Sequence, residues 1–189
     1  MGVNAEEKVA CFQPELERIH DKKIREFARL CVIQAPDYIY EDCPSSSSGK
    51  FHPLDELGAD GTIIHTKKVF TAAYELVKGL ECEDSRDLVL LACLAHDLRK
   101  YGVVNTGHTL KNHPILGAEL IDEIQEATQL LSEEQHKIVR NCVGLHYGPW
   151  TEDTNWKKPI SEYTNEELTV FISDFIVSKR FIRTDYRRL

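Results

Sequence analysis

Hydrophobic positions return every three or four residues along most of the chain, as in Leu88, Leu91, Ala92 and Ala95 and again in Ile115, Ala118, Ile121 and Ile124. That spacing draws one apolar stripe along a helix, so the pattern predicts an all-α protein. The predicted helices run from Glu6 to about Ile33, Thr62 to Leu80, Ser85 to Lys100, Pro114 to about Leu131, Ser132 to Leu145 and Asn165 to about Arg183. A kink near Pro14 is expected in the first, because a proline inside a helix lacks a donor and crowds the preceding turn. Asp84 or Ser85, Ser132 with Gln135, and Thr164 with Glu167 supply the side-chain oxygens that cap helix N-termini.

Two stretches interrupt the helical pattern. From Gln34 to Gly61 the chain turns to Pro, Ser, Gly and Asp, which predicts a long loop. Loops of that length in a small domain are mostly binding segments or disordered ones. Ser45 to Lys50 imitates a phosphate loop, but Pro44 stands at the first glycine position and Phe51 at the final Ser or Thr, which excludes a Walker A site. The second irregular stretch, Tyr147 to Tyr163, lies between two helices and is expected to border a pocket.

A chain of 189 residues fits one domain, with residues 1–33 as an N-terminal helix, 34–61 as the loop and 62–184 as the core. Hydrophobic residues at 42% and charged residues at 29% exclude wholesale disorder and fibrous repeats. The formal net charge of −8 opposes binding of long duplex nucleic acid. No apolar run approaches the ~20 residues that span a bilayer, and charges between Met1 and Ala10 exclude a secretory core, so a cytoplasmic protein is expected. Glu6 stands where a myristoylation motif needs Ser or Thr. Six scattered cysteines without a Cys-x-x-Cys pair read as reduced, mostly buried thiols. The apolar first helix is compatible with a homodimer.

The histidines and aspartates then change the picture. His65 falls early in one predicted helix, His96-Asp97 ends another, His113 and His146 lie at helix edges, and Asp174 sits among Phe171, Ile172, Phe175 and Ile176. A carboxylate in apolar surroundings needs a cation or strong donors to offset its desolvation. Imidazole and carboxylate without thiolate suit one or two divalent transition metal ions, with Fe, Mn, Co, Ni and Zn all open. Singly, each residue reads as a surface or hydrogen-bonded core group. His113 precedes Pro114 in a first helical turn, and His146 ends a helix beside Gly148.

The ordered set, a His, then His-Asp, then a distant Asp, resembles the HD-domain superfamily of metal-dependent phosphohydrolases. Ala92 to Lys100 is similar to the family's signature helix, and His113 to Ile121 and Leu145 to Gly148 are similar to segments bringing further ligands in dinuclear members. The resemblance implies a helical bundle with long irregular loops around a metal site. It implies His65, His96, Asp97 and Asp174 as ligands, Asp97 bridging two ions, His113 and His146 holding the second, and Lys100 facing substrate phosphate. Two positions depart from it: Tyr147 follows His146 where several dinuclear families carry another histidine, and Arg99 replaces a small residue before the lysine. Pro44 to Pro53, Asp60 to His65 and His146 to Trp150 resemble a branch containing phage proteins and the HD domain of YhaM-type exonucleases, implying a phage protein at work in a bacterial cytoplasm.

Substrate contacts are expected from Ser48, Lys50 and His52 in the long loop, from His108, from Trp150 stacking on a base, and from Lys179 on the pocket rim. Their plainer readings are a flexible loop, an exposed histidine, a lid packed on the core and a cation favoured at a helix C-terminus. The tail Arg183, Arg187-Arg188 reads as solvated, as do His20 and His136. The expected function is a phosphohydrolase or phosphodiesterase acting on nucleotides or short oligonucleotides through a metal-activated water. The alternative is a non-catalytic nucleotide-binding or partner-binding module that keeps the fold.

Overall fold

The eight consecutive apolar residues Leu88–Ala95 leave no polar face, and a helix apolar all round can only sit in the middle of a protein. In the computed structural model, which describes residues 2–180, α6 (Arg86–Ala95) is buried from Leu88 onward. Around it pack α3 (Lys22–Gln34), α5 (Gly61–Gly79), α8 (Glu133–Leu145) and α9 (Asn165–Val177), and α7 (His113–Thr128) lies along α8. Among the described residues there is no strand, and no helix is long and apolar enough to cross a membrane. The architecture is the expected all-α bundle.

The N-terminal region departs from a single kinked helix. It forms α1 (Ala5–Cys11), α2 (Gln13–Glu17) and α3. Pro14 occupies the first turn of α2, where a missing N–H costs nothing, so it starts a helix instead of bending one. Asp21 then caps α3 by accepting from the Lys23 and Ile24 amides, while Asp87 of α6 accepts from the His20 and Asp21 amides. These carboxylates satisfy donors that a continuous helix would have used internally.

The other boundaries shift in ways that shape the site. The signature helix stops at Ala95 instead of Lys100: Leu98 bonds back to Ala95 and Lys100 to Asp97, so tight turns replace its last part. Both capping boxes form, Ser132 with Gln135 and Thr164 with Glu167, but neither Asp84 nor Ser85 caps α6 through its side chain. Helix α9 ends at Val177; Arg183, Arg187 and Arg188 lie outside the described residues. All six cysteines are free thiols, five of them buried and Cys11 half-buried.

The long loop is built, not loose. It contains α4 (Tyr38–Glu41) and a 3₁₀ turn at Leu54–Glu56. Tyr38 stacks on Tyr101 at 5.5 Å and donates to the Gly102 carbonyl, and the Tyr101 hydroxyl donates to that of Pro44. Buried Ser45 is tied into the fold: its amide donates to the Glu56 carbonyl and its hydroxyl to that of Gly61. Gly61 is obligatory here, since a Cβ would collide with the Glu56 carbonyl.

Candidate metal centre

Three histidines at helix ends converge on Asp97. His96 and Asp97 occupy the turn after α6, His113 opens α7, and His146 caps α8. In each ring Nδ1 meets a backbone carbonyl: Cys93 at 2.7 Å for His96, Leu110 at 2.6 Å for His113 and Val143 at 2.6 Å for His146. A carbonyl only accepts, so Nδ1 carries the proton and the neutral ring presents a lone pair at Nε2.

Those lone pairs point at one another. His113 Nε2 lies 3.0 Å from His146 Nε2, and Asp97 Oδ1 lies 3.2 Å and 3.7 Å from the two. Asp97 Oδ1 and His96 Nε2 are buried without any hydrogen-bond partner. Burial, helped by the neighbouring His96 and His113, pushes His146 down to about 3, and burial also lowers His96, so protonation is not the remedy for these two. Against the penalty of burial, Lys100, His96 and His113 hold Asp97 well below the usual carboxylate range. A buried set of acceptors lacking donors fits a divalent cation.

A second donor group adjoins the first. His65 on α5 directs Nε2 to Asp174 Oδ1 on α9 at 2.9 Å, and Nδ1 to Glu56 Oε2 at 3.1 Å. Held between two carboxylates, its pKa rises to about 9 although burial opposes the charge. His65, His96 and Asp174 form one group, and Asp97, His113 and His146 another, with ligand atoms within 4.8 Å of one another in each. Asp97 links them, since its Oδ2 lies 3.6 Å from His96 Nε2. The same Oδ2 accepts from Lys100 Nζ at 2.6 Å, and Lys100 is itself buried.

Asp97, His113 and His146 of one group and Asp174 of the other line a cavity of about 370 Å³, while His65 and His96 are fully buried behind that lining. Ser45 to Ser48, Phe51 and His52 line one side, and Tyr147, Trp150, Phe171, Phe175 and Lys179 the other. Gly148, at φ +58°, makes the turn that lays Trp150 across Phe175 with centroids 5.7 Å apart and planes within 12°. A Cβ at Gly148 would also strike the Phe171 ring. Lys179 Nζ lies 3.7 Å from the Phe175 centroid.

The structure thus brings His65, His96, Asp97, Lys100, His113, His146 and Asp174 together, with Ser48, His52, Trp150 and Lys179 lining the same cavity. Lys50 and His108 do not line it. Both are exposed, and the His108 ring donates to the Thr106 carbonyl within its own loop. Of the two residues that depart from the family, Tyr147 packs edge-on against His113, and Arg99 turns away to grip Glu123 on α7. His136 is not merely solvated, since it bonds Asp122. Glu56 was not legible in the sequence. It lies in a Pro- and Gly-rich stretch with no periodicity, and only the fold reveals that it is buried against two histidines.

The model of the HD domain family matches residues 62–176 of the chain. No curated protein and no solved structure matches it.

Proposed function

The chain belongs to the HD domain family, and from that premise we propose that it is a metal-dependent phosphohydrolase acting on single nucleotides or short oligonucleotides. The observation that carries this reading is the pair of adjoining donor groups, with Asp97 of one within 3.6 Å of His96 of the other, Asp97 and Asp174 lining one cavity, and Lys100 buried beside Asp97. A divalent ion bound there supplies an acidified water and polarises a phosphoryl oxygen.

The chain's own residues account for the rest. Asp97 stays anionic and presents one oxygen to each donor group. Burial opposes the charge on Lys100, but Asp97 raises its pKa, so the ammonium persists where charge develops on a phosphoryl group. Hydroxyls of Ser46 and Ser48 and the ammonium groups of Lys111 and Lys179 surround the cavity and suit phosphate oxygens. Trp150, half exposed and backed by Phe175, offers a face on which any base can stack.

The volume lies near the lower end of the roughly 300–1,000 Å³ of ligand pockets, which favours one nucleotide or a strand end over a long strand. The net charge of −8 points the same way. Free thiols fit a reducing cytoplasm, and the motifs around Pro44 to Pro53 and His146 to Trp150 support the branch with phage and YhaM-type members.

The test is incubation with manganese, iron or cobalt and a panel of mononucleotides, dinucleotides, cyclic dinucleotides and short oligonucleotides, with products separated beside Asp97→Ala. Turnover of one class, lost in the variant, is expected. Nucleotide binding without turnover under every metal would instead establish a binding module.

A further inference from the structure

Glu56 is completely buried, yet it is none of the six candidate ligands and the family match begins after it. Its Oε2 accepts from His52 Nδ1 at 2.8 Å and from His65 Nδ1 at 3.1 Å, and its Oε1 from Lys68 Nζ at 2.8 Å. The two rings stand edge to face with centroids 4.7 Å apart. The carboxylate is anchored on its backbone side as well, where the Glu56 carbonyl accepts from the Ser45 amide.

His52, Glu56 and His65 are close enough to one another to hold an ion themselves. Two features argue that Glu56 orients instead of ligating. Acting as a ligand would require it to give up bonds that both its oxygens already make. It also meets each histidine at Nδ1, which fixes a proton there and leaves Nε2 as the nitrogen for other partners, as the carbonyls do for His96, His113 and His146. His65 Nε2 then faces Asp174, and His52 lines the cavity beside Ser48 and Phe51.

We propose that Glu56 is a positioning residue that holds His65 as a metal ligand through Nε2 and sets His52 at the cavity wall, so that its loss weakens one metal position and spares the one formed by Asp97, His113 and His146. This rests on the metal-binding reading above. Substitution of such an outer partner typically lowers metal affinity about 10- to 100-fold.

The chelator-stripped full chain is titrated with zinc by calorimetry as wild type, Glu56→Gln and Glu56→Ala, with His113→Ala marking the other position. In the zinc-loaded wild type, long-range proton–nitrogen NMR of the imidazoles reads which His65 nitrogen carries the proton, and this needs no variant to fold. The expected result is His65 protonated at Nδ1 and metallated at Nε2. One class of site should weaken about 10- to 100-fold in Glu56→Ala and less in Glu56→Gln, which keeps an acceptor, while the class lost in His113→Ala persists. Metallation of His65 at Nδ1, or equal affinities in wild type and Glu56→Ala, would overturn the proposal and leave the metal reading standing. A wild type that binds no zinc, manganese or iron would overturn both.

Discussion

The two halves of the candidate metal centre differ in how their histidines are oriented, although His96, in the half with His65, also meets a backbone carbonyl, that of Cys93. His113 and His146 are held by backbone carbonyls of Leu110 and Val143, three residues back along the chain. Each tautomer is therefore set by the local backbone, the end of α8 for His146 and the turn leading into α7 for His113, which few side-chain substitutions disturb. His65 is held by the side chain of Glu56, delivered by a loop and kept in place by Lys68. That half depends on individual residues, so it can be weakened without unfolding the bundle. The difference separates robust from adjustable ligation within one site, and Asp97 is common to both.

The largest effect should come from removing what the halves share. Asp97→Ala takes a ligand from each, and product formation should fall at least about 1000-fold, in keeping with the several kcal/mol that metal-assisted charge stabilisation supplies. Product chromatography under saturating manganese checks it. Lys100→Ala should separate catalysis from metal binding. Turnover is expected to drop about 100-fold, while metal affinity measured by calorimetry holds or rises, because a cation competing for Asp97 Oδ2 is gone.

Trp150→Ala should touch neither half. Stacking worth about 1–3 kcal/mol predicts a KM for the preferred nucleotide raised roughly 5- to 150-fold with kcat nearly unchanged. Steady-state kinetics distinguish that from a metal defect.

The smallest effect is expected from pH. In metal-free protein His96 and His146 are depressed below the ordinary 6.5, His146 to about 3, chiefly by burial. Their neutral state favours folding fully above 6.5, and stability is lost as pH falls from there towards 3. His65 works the other way. Raised to about 9, it contributes fully below 6.5 and its contribution is lost as pH rises through 9. Thermal melts in chelator should show Tm falling on acidification through the first pair and on alkalinisation through His65, with the alkaline loss reduced in Glu56→Gln.

The contrast between the halves also explains what the sequence could reveal. Helix ends place His96, Asp97, His113 and His146, and helices are visible as periodicity, so these residues could be found in order with their surroundings. Glu56 and Phe51 belong to a loop whose shape depends on contacts distant along the chain, such as Tyr101 to Pro44 and Ser45 to Gly61, and no spacing rule records those. The broken N-terminal helix escaped for a similar reason, because Asp87 satisfies the His20 and Asp21 amides from another helix. Ser85 has the composition of a cap, but its side chain accepts no α6 amide, and it ends the 3₁₀ turn Glu83–Ser85 that leads into α6. Lys50 and His108 looked suitable by residue type alone, and exposure on their loops separates them from the cavity.

The proposed chemistry requires Asp97 to join two metal positions, which anomalous diffraction from crystals loaded with manganese would locate. Two peaks are expected roughly 3.5–4 Å apart on either side of the Asp97 carboxylate, one near His65, His96 and Asp174 and the other near His113 and His146. A fully loaded crystal with no peak at Asp97, or with manganese only in the His52, Glu56 and His65 group, would contradict it.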